Sequence, residues 1–264
     1  MKRFRNILVG VDLSSEDRLV AASLSDSGAR AVDHAMWLAR LNDARPTFIN
    51  VLMEHPDDET SVLQQAHRAL QALVEQAAVK GVVAEHQVAF GAPGAEIVRQ
   101  TVEGRHDLVI VGARSHSPAT HWIIGTTAMA LLRKCPSPVW VARSRDDRRR
   151  DVSSVLVAHD LSPLGTLALQ LGASLAELQS AALHVIHVTR IPEEQSPWVF
   201  TGPVGEAPAE PPRNRIESEL RLIAGPAVGQ VAIAEGDAWE EILNYIEDNR
   251  IDLIVLGTVA RGGV

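Results

Sequence analysis

NILVGVDLS at residues 6–14 returns as SVLVAHDLS at 154–162, and the way this duplication is read decides the fold. Both stretches are apolar runs that end in Asp-Leu-Ser. Two further pairs follow in the same order: FGAPGAEIV at 90–98 with EGDAWEEIL at 235–243, and HDLVIVGARS at 106–115 with IDLIVLGTVA at 251–260. Asp12 and Asp160 lie 148 positions apart, while Gly91 with Gly236 and Gly112 with Gly257 each lie 145 apart. Chance similarity does not keep register so closely, so the chain is a tandem repeat. The junction falls in RSRDDRRRD, 143–151, a charged run without apolar anchors that reads as a solvated linker. The expected domains are 1–145 and 151–264.

Short runs that are apolar at every position (Ile7–Val11, Phe48–Leu52, Leu108–Val111, Val139–Val141) suit strands buried on both faces. Between them lie segments of helical period. Val32, Ala35, Met36 and Ala39 share one helical face, as do Leu164, Leu167, Ala168 and Leu171, and Trp239, Ile242, Leu243 and Ile246. Alternation of strand and helix predicts an α/β, doubly wound parallel sheet in each half, Rossmann-like, with ligands beyond the carboxyl ends of the strands. Both Asp-Leu-Ser tripeptides sit at such ends. The Pro- and Gly-rich stretch from Pro192 to Pro212 reads as a surface loop replacing part of a helix. After Gly257 the second repeat has 7 residues, against 31 from Gly112 to Arg143, so its last helix and fifth strand are expected to be missing.

A 264-residue chain with 46% hydrophobic residues has enough apolar mass for two cores. Its net charge of −8 argues against a nucleic-acid partner, which demands a broad positive surface. The opening apolar run meets Asp12 too early for a signal core, and no stretch is long enough to span a membrane. Cys135 is the single cysteine, so no internal disulfide forms, in keeping with a cytoplasmic setting.

For chemistry, the clearest feature is a strand ending at Gly112 followed by Gly125, Thr126 and Thr127, which open AMALLRKC, a helix with Arg133 and Lys134 in its last turn and Pro136 as its stop. A loop returning to a helix start in this way turns backbone N–H groups inward and suits a phosphate, although glycines at these points are also ordinary punctuation. Asp12 either faces a ligand or caps the helix or turn that follows it. His106, His116 and His121 lack metal-site spacing and read as solvated loop residues. His184 and His187, three apart on a strand, point to opposite faces. Cys135 has cationic neighbours that would lower its pKa, yet no resolving cysteine, and reads as structural.

The ordered set VDLS (11–14), GAPGAEIV (91–98), DLVIVGARS (107–115), IIGTT (123–127) and CPSPVWVA (135–142) resembles the universal stress protein family, over essentially the whole chain twice. LLRKCPSPVW, 131–140, is similar to the E-type members, in which two such domains share one chain. The resemblance implies an adenine-nucleotide α-hydrolase-like fold. It also implies an adenine-nucleotide site, with ATP and Mg²⁺ as the expected ligand, drawn from Asp12, Val51, Gly112, Ser115, Gly125, Thr126 and Thr127, with Asp160 and Gly257 as second-domain counterparts. The family signature of Gly, two residues, Gly, nine residues, Gly, Ser or Thr is met at Gly112, Gly125 and Thr126, with Ser115 in place of the second glycine. Ala260 stands there in the second repeat. The expected function is a non-catalytic, nucleotide-binding stress-response protein, at most a weak ATPase, since no catalytic triad or paired acid set is legible. The alternative is a tandem scaffold acting through protein or small-molecule partners. Self-association, through a pseudo-twofold domain contact or an edge strand, belongs to both readings.

Overall fold

A computed structural model describes residues 4–13, 24–52, 59–113, 124–143, 152–189, 210–224 and 229–258. The chain divides into two compact units, with the break between Asp147 and Arg148.

In the first unit the elements are β1 (Asn6–Gly10), α1 (Asp26–Asn42), β2 (Arg45–Leu52), α2 (Glu59–Val79), β3 (Glu85–Phe90), α3 (Pro93–Glu103), β4 (Leu108–Gly112), α4 (Thr126–Lys134) and β5 (Val139–Ala142). In the second they are β6 (Ser154–Ala158), α5 (Pro163–Gln179), β7 (Ala182–Thr189), α6 (Pro212–Ala224), β8 (Gln230–Glu235), α7 (Ala238–Asp248) and β9 (Leu253–Leu256). All pairings are parallel, in the orders β3-β2-β1-β4-β5 and β8-β7-β6-β9. The expected doubly wound sheet is therefore present twice. The second sheet has four strands among the described residues, and β9 stands at its edge where β4 is flanked by β5.

The strands form where the apolar runs placed them because β1, β4 and β6 lie between neighbours and under helices, so their central residues meet apolar surroundings. Ile7, Leu8, Val9, Val109, Ile110, Val155, Leu156 and Val157 are fully buried. β3 and β8 are edge strands of mixed composition, EHQVAF and QVAIAE, with polar residues at one or both ends and side chains mostly half-buried. A repeated carboxylate ties the start of the sheet together. Asp107 accepts from the amides of Arg5 (2.7 Å) and Asn6 (3.1 Å), and Asp252 accepts from those of Ser153 (2.9 Å) and Ser154 (3.2 Å). Asp107 and Asp252, the aspartates before β4 and β9, therefore clamp the starts of β1 and β6.

α1 buries Val32, Ala35, Met36 and Ala39, the face its periodicity predicts. α5 is rotated from expectation: Leu167 is exposed, and Gly165, Ala168, Leu169, Gly172, Ala173 and Ala176 face inward. Small residues bring this helix close to the sheet, and a Cβ at Gly172 would lie 2.3 Å from Val157 Cγ2. α7 has no fully buried residue; Ile242, Tyr245 and Ile246 pack on Leu156, Ile186 and Ile251, while Trp239 stays exposed. The stretch expected as a loop to Pro212 yields a helix at Pro212 itself; residues 190–209 lie outside the described residues.

The near-constant repeat spacing conceals two compensating length changes. Strand registers equate Gly10 with Ala158, Ile49 with Ile186, and Glu85 with Gln230, offsets of 148, 137 and 145. The connection from β1 to α1 takes residues 11–25, whereas that from β6 to α5 takes only 159–162. The second unit regains the length between β7 and α6.

Candidate functional site

The crevice of a doubly wound sheet opens where neighbouring strands send their connections in opposite directions. In the first unit this is between β1, which leads towards β2, and β4, which leads towards β5. Gly10 pairs with Val111, so Asp12 and Gly112 flank the opening from the two strand ends. Asp12 is exposed, and Val51, half-buried, lies one residue from the end of β2. The Val11 amide donates to the Ile49 carbonyl (2.8 Å), and Asn50 Nδ2 donates to the Val11 carbonyl (2.9 Å). These two bonds carry the chain leaving β1 onto the end of β2. Asn50 was not among the sequence-derived site residues; a lone Asn inside FINVL is the signal that could have found it, since a buried amide demands a partner. Its Oδ1 is buried without a hydrogen-bond partner among the described residues.

Gly125 is the N-cap of α4 in extended conformation, with Thr126 and Thr127 as the first helical residues. Among the described residues no side chain caps this N-terminus; no acidic residue lies in its first turn, while Arg133 and Lys134 occupy the last turn. A helix start in this condition presents unsatisfied N–H groups and a positive dipole end. α1 differs: Ser25 accepts from the Gly28 amide (3.2 Å), and Asp26 adds negative charge. Ser25, rather than Asp12, is thus the cap of α1.

Gly112 has a packing reason of its own. A Cβ there would stand 2.8 Å from the Ser27 carbonyl carbon and 2.9 Å from the Gly28 nitrogen, so the first turn of α1 rests on it. At Gly257 a Cβ would meet Leu164 Cγ at 2.9 Å. Ser115, His116 and His121 lie outside the described residues.

The second unit builds the same corner differently. Asp160 Oδ1 accepts from the Ser162 amide (3.0 Å) and hydroxyl (2.5 Å), bonds that hold its carboxyl below the usual range, and Ser162 caps α5 by accepting from the Gly165 amide (3.1 Å). With only four residues between strand and helix, this aspartate is drawn into the helix cap. Beside it, His159 is fully buried. Its Nδ1 accepts from the Leu161 amide (3.0 Å), which leaves Nε2–H to donate to Glu219 Oε2 (3.2 Å) on α6. Thr166 Oγ1 donates to the same oxygen (2.8 Å), and Arg215, 3.4 Å from Glu219 Oε1, donates to the Leu161 carbonyl (2.8 Å). Burial pushes the His159 pKa down, with Glu219 opposing, so the neutral ring is the resting form.

The remaining histidines and the cysteine are placed by packing. His106 was expected in solvent but is buried at the opposite end of the sheet, before β4, packed over Gly104, with Nδ1 unpartnered among the described residues. His184 lies 3.1 Å from the Tyr245 hydroxyl and His187 donates to the His159 carbonyl (2.7 Å), so the pair serves different partners. Burial pushes the Cys135 thiol up, opposed by hydrogen bonding from the Ser137 main chain and the Thr101 side chain rather than by the cations beside it in sequence. Among the described residues no group of three or more His, Cys, Asp or Glu could hold a metal ion, and no helix is long and apolar enough to cross a membrane.

Comparison with known proteins agrees with this architecture. Universal stress protein E of Escherichia coli (strain K12) is 33% identical over 159 residues, 55% of this chain and 47% of that protein, so the match spans about half of the relative's length. Universal stress protein YxiE of Bacillus subtilis (strain 168) is 29% identical over 143 residues, 47% of this chain and 97% of that protein. The crystal structure of a universal stress protein from Archaeoglobus fulgidus DSM 4304 superposes with a TM-score of 0.72 at 18% identity, covering 98% of this chain and 86% of that one, a likeness of fold. The family model described as "Universal stress protein family" matches residues 3–143 and again 152–264, and the chain accordingly belongs to the universal stress protein family, as a tandem of two such domains.

Proposed function

We propose that the first unit binds an adenine nucleotide, ATP with Mg²⁺ being the expected form, and that the chain acts as a non-catalytic stress-response protein whose second unit does not bind one. The observation that carries this reading is the uncapped start of α4, Gly125 with Thr126 and Thr127, at the carboxyl end of the sheet that also holds Asp12, Val51 and Gly112. A phosphate would satisfy the N–H groups that no side chain among the described residues reaches. Ser115 completes the set proposed from the sequence. In the second unit Asp160 is committed to the α5 cap and the His159–Glu219 pair fills the neighbouring corner, which supports assigning that unit to interaction rather than to ligand. This favours partial retention of the scaffold reading. Self-association through an edge such as β9, whose Leu256 is 54% exposed, and a cytoplasmic setting complete the proposal.

The test is the melting temperature of the full chain with millimolar Mg-ATP, ADP and AMP. A ligand at 100 times its Kd stabilises by about 2.7 kcal/mol. The expected result is an upward shift removed by Gly125→Val and kept by Asp160→Ala. Absence of a shift with any nucleotide would transfer the whole chain to the scaffold reading.

A further inference from the structure

Far from the strand-end crevice, α2 and the edge strand β3 bring two imidazoles together. His67 Nδ1 lies 3.3 Å from His86 Nε2, with the rings edge to face at 71° and their centroids 5.4 Å apart. His67 is exposed and His86 half-buried, and both line an open groove of about 450 Å³ with Arg68, Gln71, Ala72 and Glu75. A hydrogen bond between them requires one ring nitrogen to donate and the other to accept. The same distance fits a second use: two metal–nitrogen bonds of about 2.1 Å spanning it subtend about 104° at the ion, close to tetrahedral.

We propose that His67 and His86 form a two-histidine chelate for a first-row divalent transition ion of the Zn²⁺ or Cu²⁺ type, tying α2 to the edge strand β3. Imidazole nitrogens select such ions over Mg²⁺ and Ca²⁺, which prefer oxygen. With no third protein ligand among the described residues, water fills the remaining positions, and the open groove admits it. Glu75 accepts from Gln71 (3.2 Å) one turn along the same helix, which orients its carboxylate along the groove wall. The two ligands come from different elements 19 residues apart, so the bound ion acts as a clamp on the outermost strand.

The experiment is calorimetric titration of the full chain with Zn²⁺ and Cu²⁺, and with Mg²⁺ for comparison, alongside His67→Ala, His86→Ala and the double variant. Because the second histidine engages at high effective concentration once the first has bound, either single substitution should weaken this site on the order of ten-fold or more, and the double variant should be no worse than the singles. Residual binding in the double variant measures the other histidines of the chain. Unchanged melting temperatures without metal establish that the variants fold. Full affinity and stoichiometry in either single variant, or losses that multiply as for independent sites, would overturn the chelate.

Discussion

Asn50 and His187 occupy the same position in the two units, and each donates to the main-chain carbonyl that precedes the strand-end aspartate: Asn50 Nδ2 to Val11 at 2.9 Å, His187 Nδ1 to His159 at 2.7 Å. An amide in one repeat and an imidazole in the other perform one task, tying the exit of the first strand to the end of the second. The amide hydrogen bonds run in parallel, Val11 to Ile49 and His159 to Ile186. A donor of suitable reach is what the position requires, so two different residue types satisfy it.

Replacing Asn50 by Leu strands the buried Val11 carbonyl. The cost should be about 1–3 kcal/mol, the penalty for a buried acceptor left unmade. Urea unfolding of the full chain measures it; a loss below about 0.5 kcal/mol would mean that water reaches the carbonyl.

Gly112→Ala and Gly257→Ala should differ although the positions correspond. At Gly112 the new methyl meets α1 backbone at 2.8 and 2.9 Å, which moves only with the helix, whereas at Gly257 it first meets a Leu164 side-chain carbon. We expect about 1–3 kcal/mol for the former and less for the latter, the ordinary range for overpacking. Thermal unfolding of both variants gives the order, and equal or reversed costs would contradict it.

Acid should destabilise the protein before its carboxylates titrate. Burial, then Arg30, pushes His34 down to about 4, with Asp33 opposing, and the ring lies 4.9 Å from that of Trp140. The unfolded chain takes up this proton near 6.5 while the folded chain does not until about 4, so stability is full above 6.5 and falls as pH drops through that window. The loss amounts to about 3 kcal/mol at most. Burial pushes His106, His159 and His184 in the same direction. In urea midpoints taken from pH 7.5 to pH 4, His34→Gln should flatten the slope; an unaltered slope would exclude His34 as a source.

Glu219→Ala leaves His159 Nε2–H and Thr166 Oγ1 without their shared acceptor. The expected cost is about 1–3 kcal/mol. Hydrogen exchange should place the loss in β6 and α5, and protection of the first unit should be unaffected.

The two-domain organisation, the central strands and the span of α4 were legible because each rests on local pattern: a repeat, an all-apolar run, a Gly-Thr start and a Pro stop. The buried face of α5 was not, since Gly165 and Gly172 carry no hydrophobic signal yet mark the closest approach to the sheet. α2 was missed although Ala66, Leu70, Leu73 and Ala77 recur at helical spacing and share a buried face, and β3 was missed because it is an edge strand whose first half, Glu85–Gln87, is polar. Among the candidate site residues, Asp12 and Asp160 look alike in sequence. They part in the structure because fifteen residues precede α1 and four precede α5, so that only Asp160 comes within reach of the capping serine.

By itself the sequence determined the duplicated parallel-sheet fold, the family and the start of α4, all of which depend on neighbours in the chain. Tertiary structure alone decided which polar groups meet across it: Asn50 with Val11, His159 with Glu219, His67 with His86, and Asp107 with the start of β1. The reason is physical. Hydrogen bonds and ligand geometry act over about 3 Å, and residues tens of positions apart come within that range only once the sheets are packed.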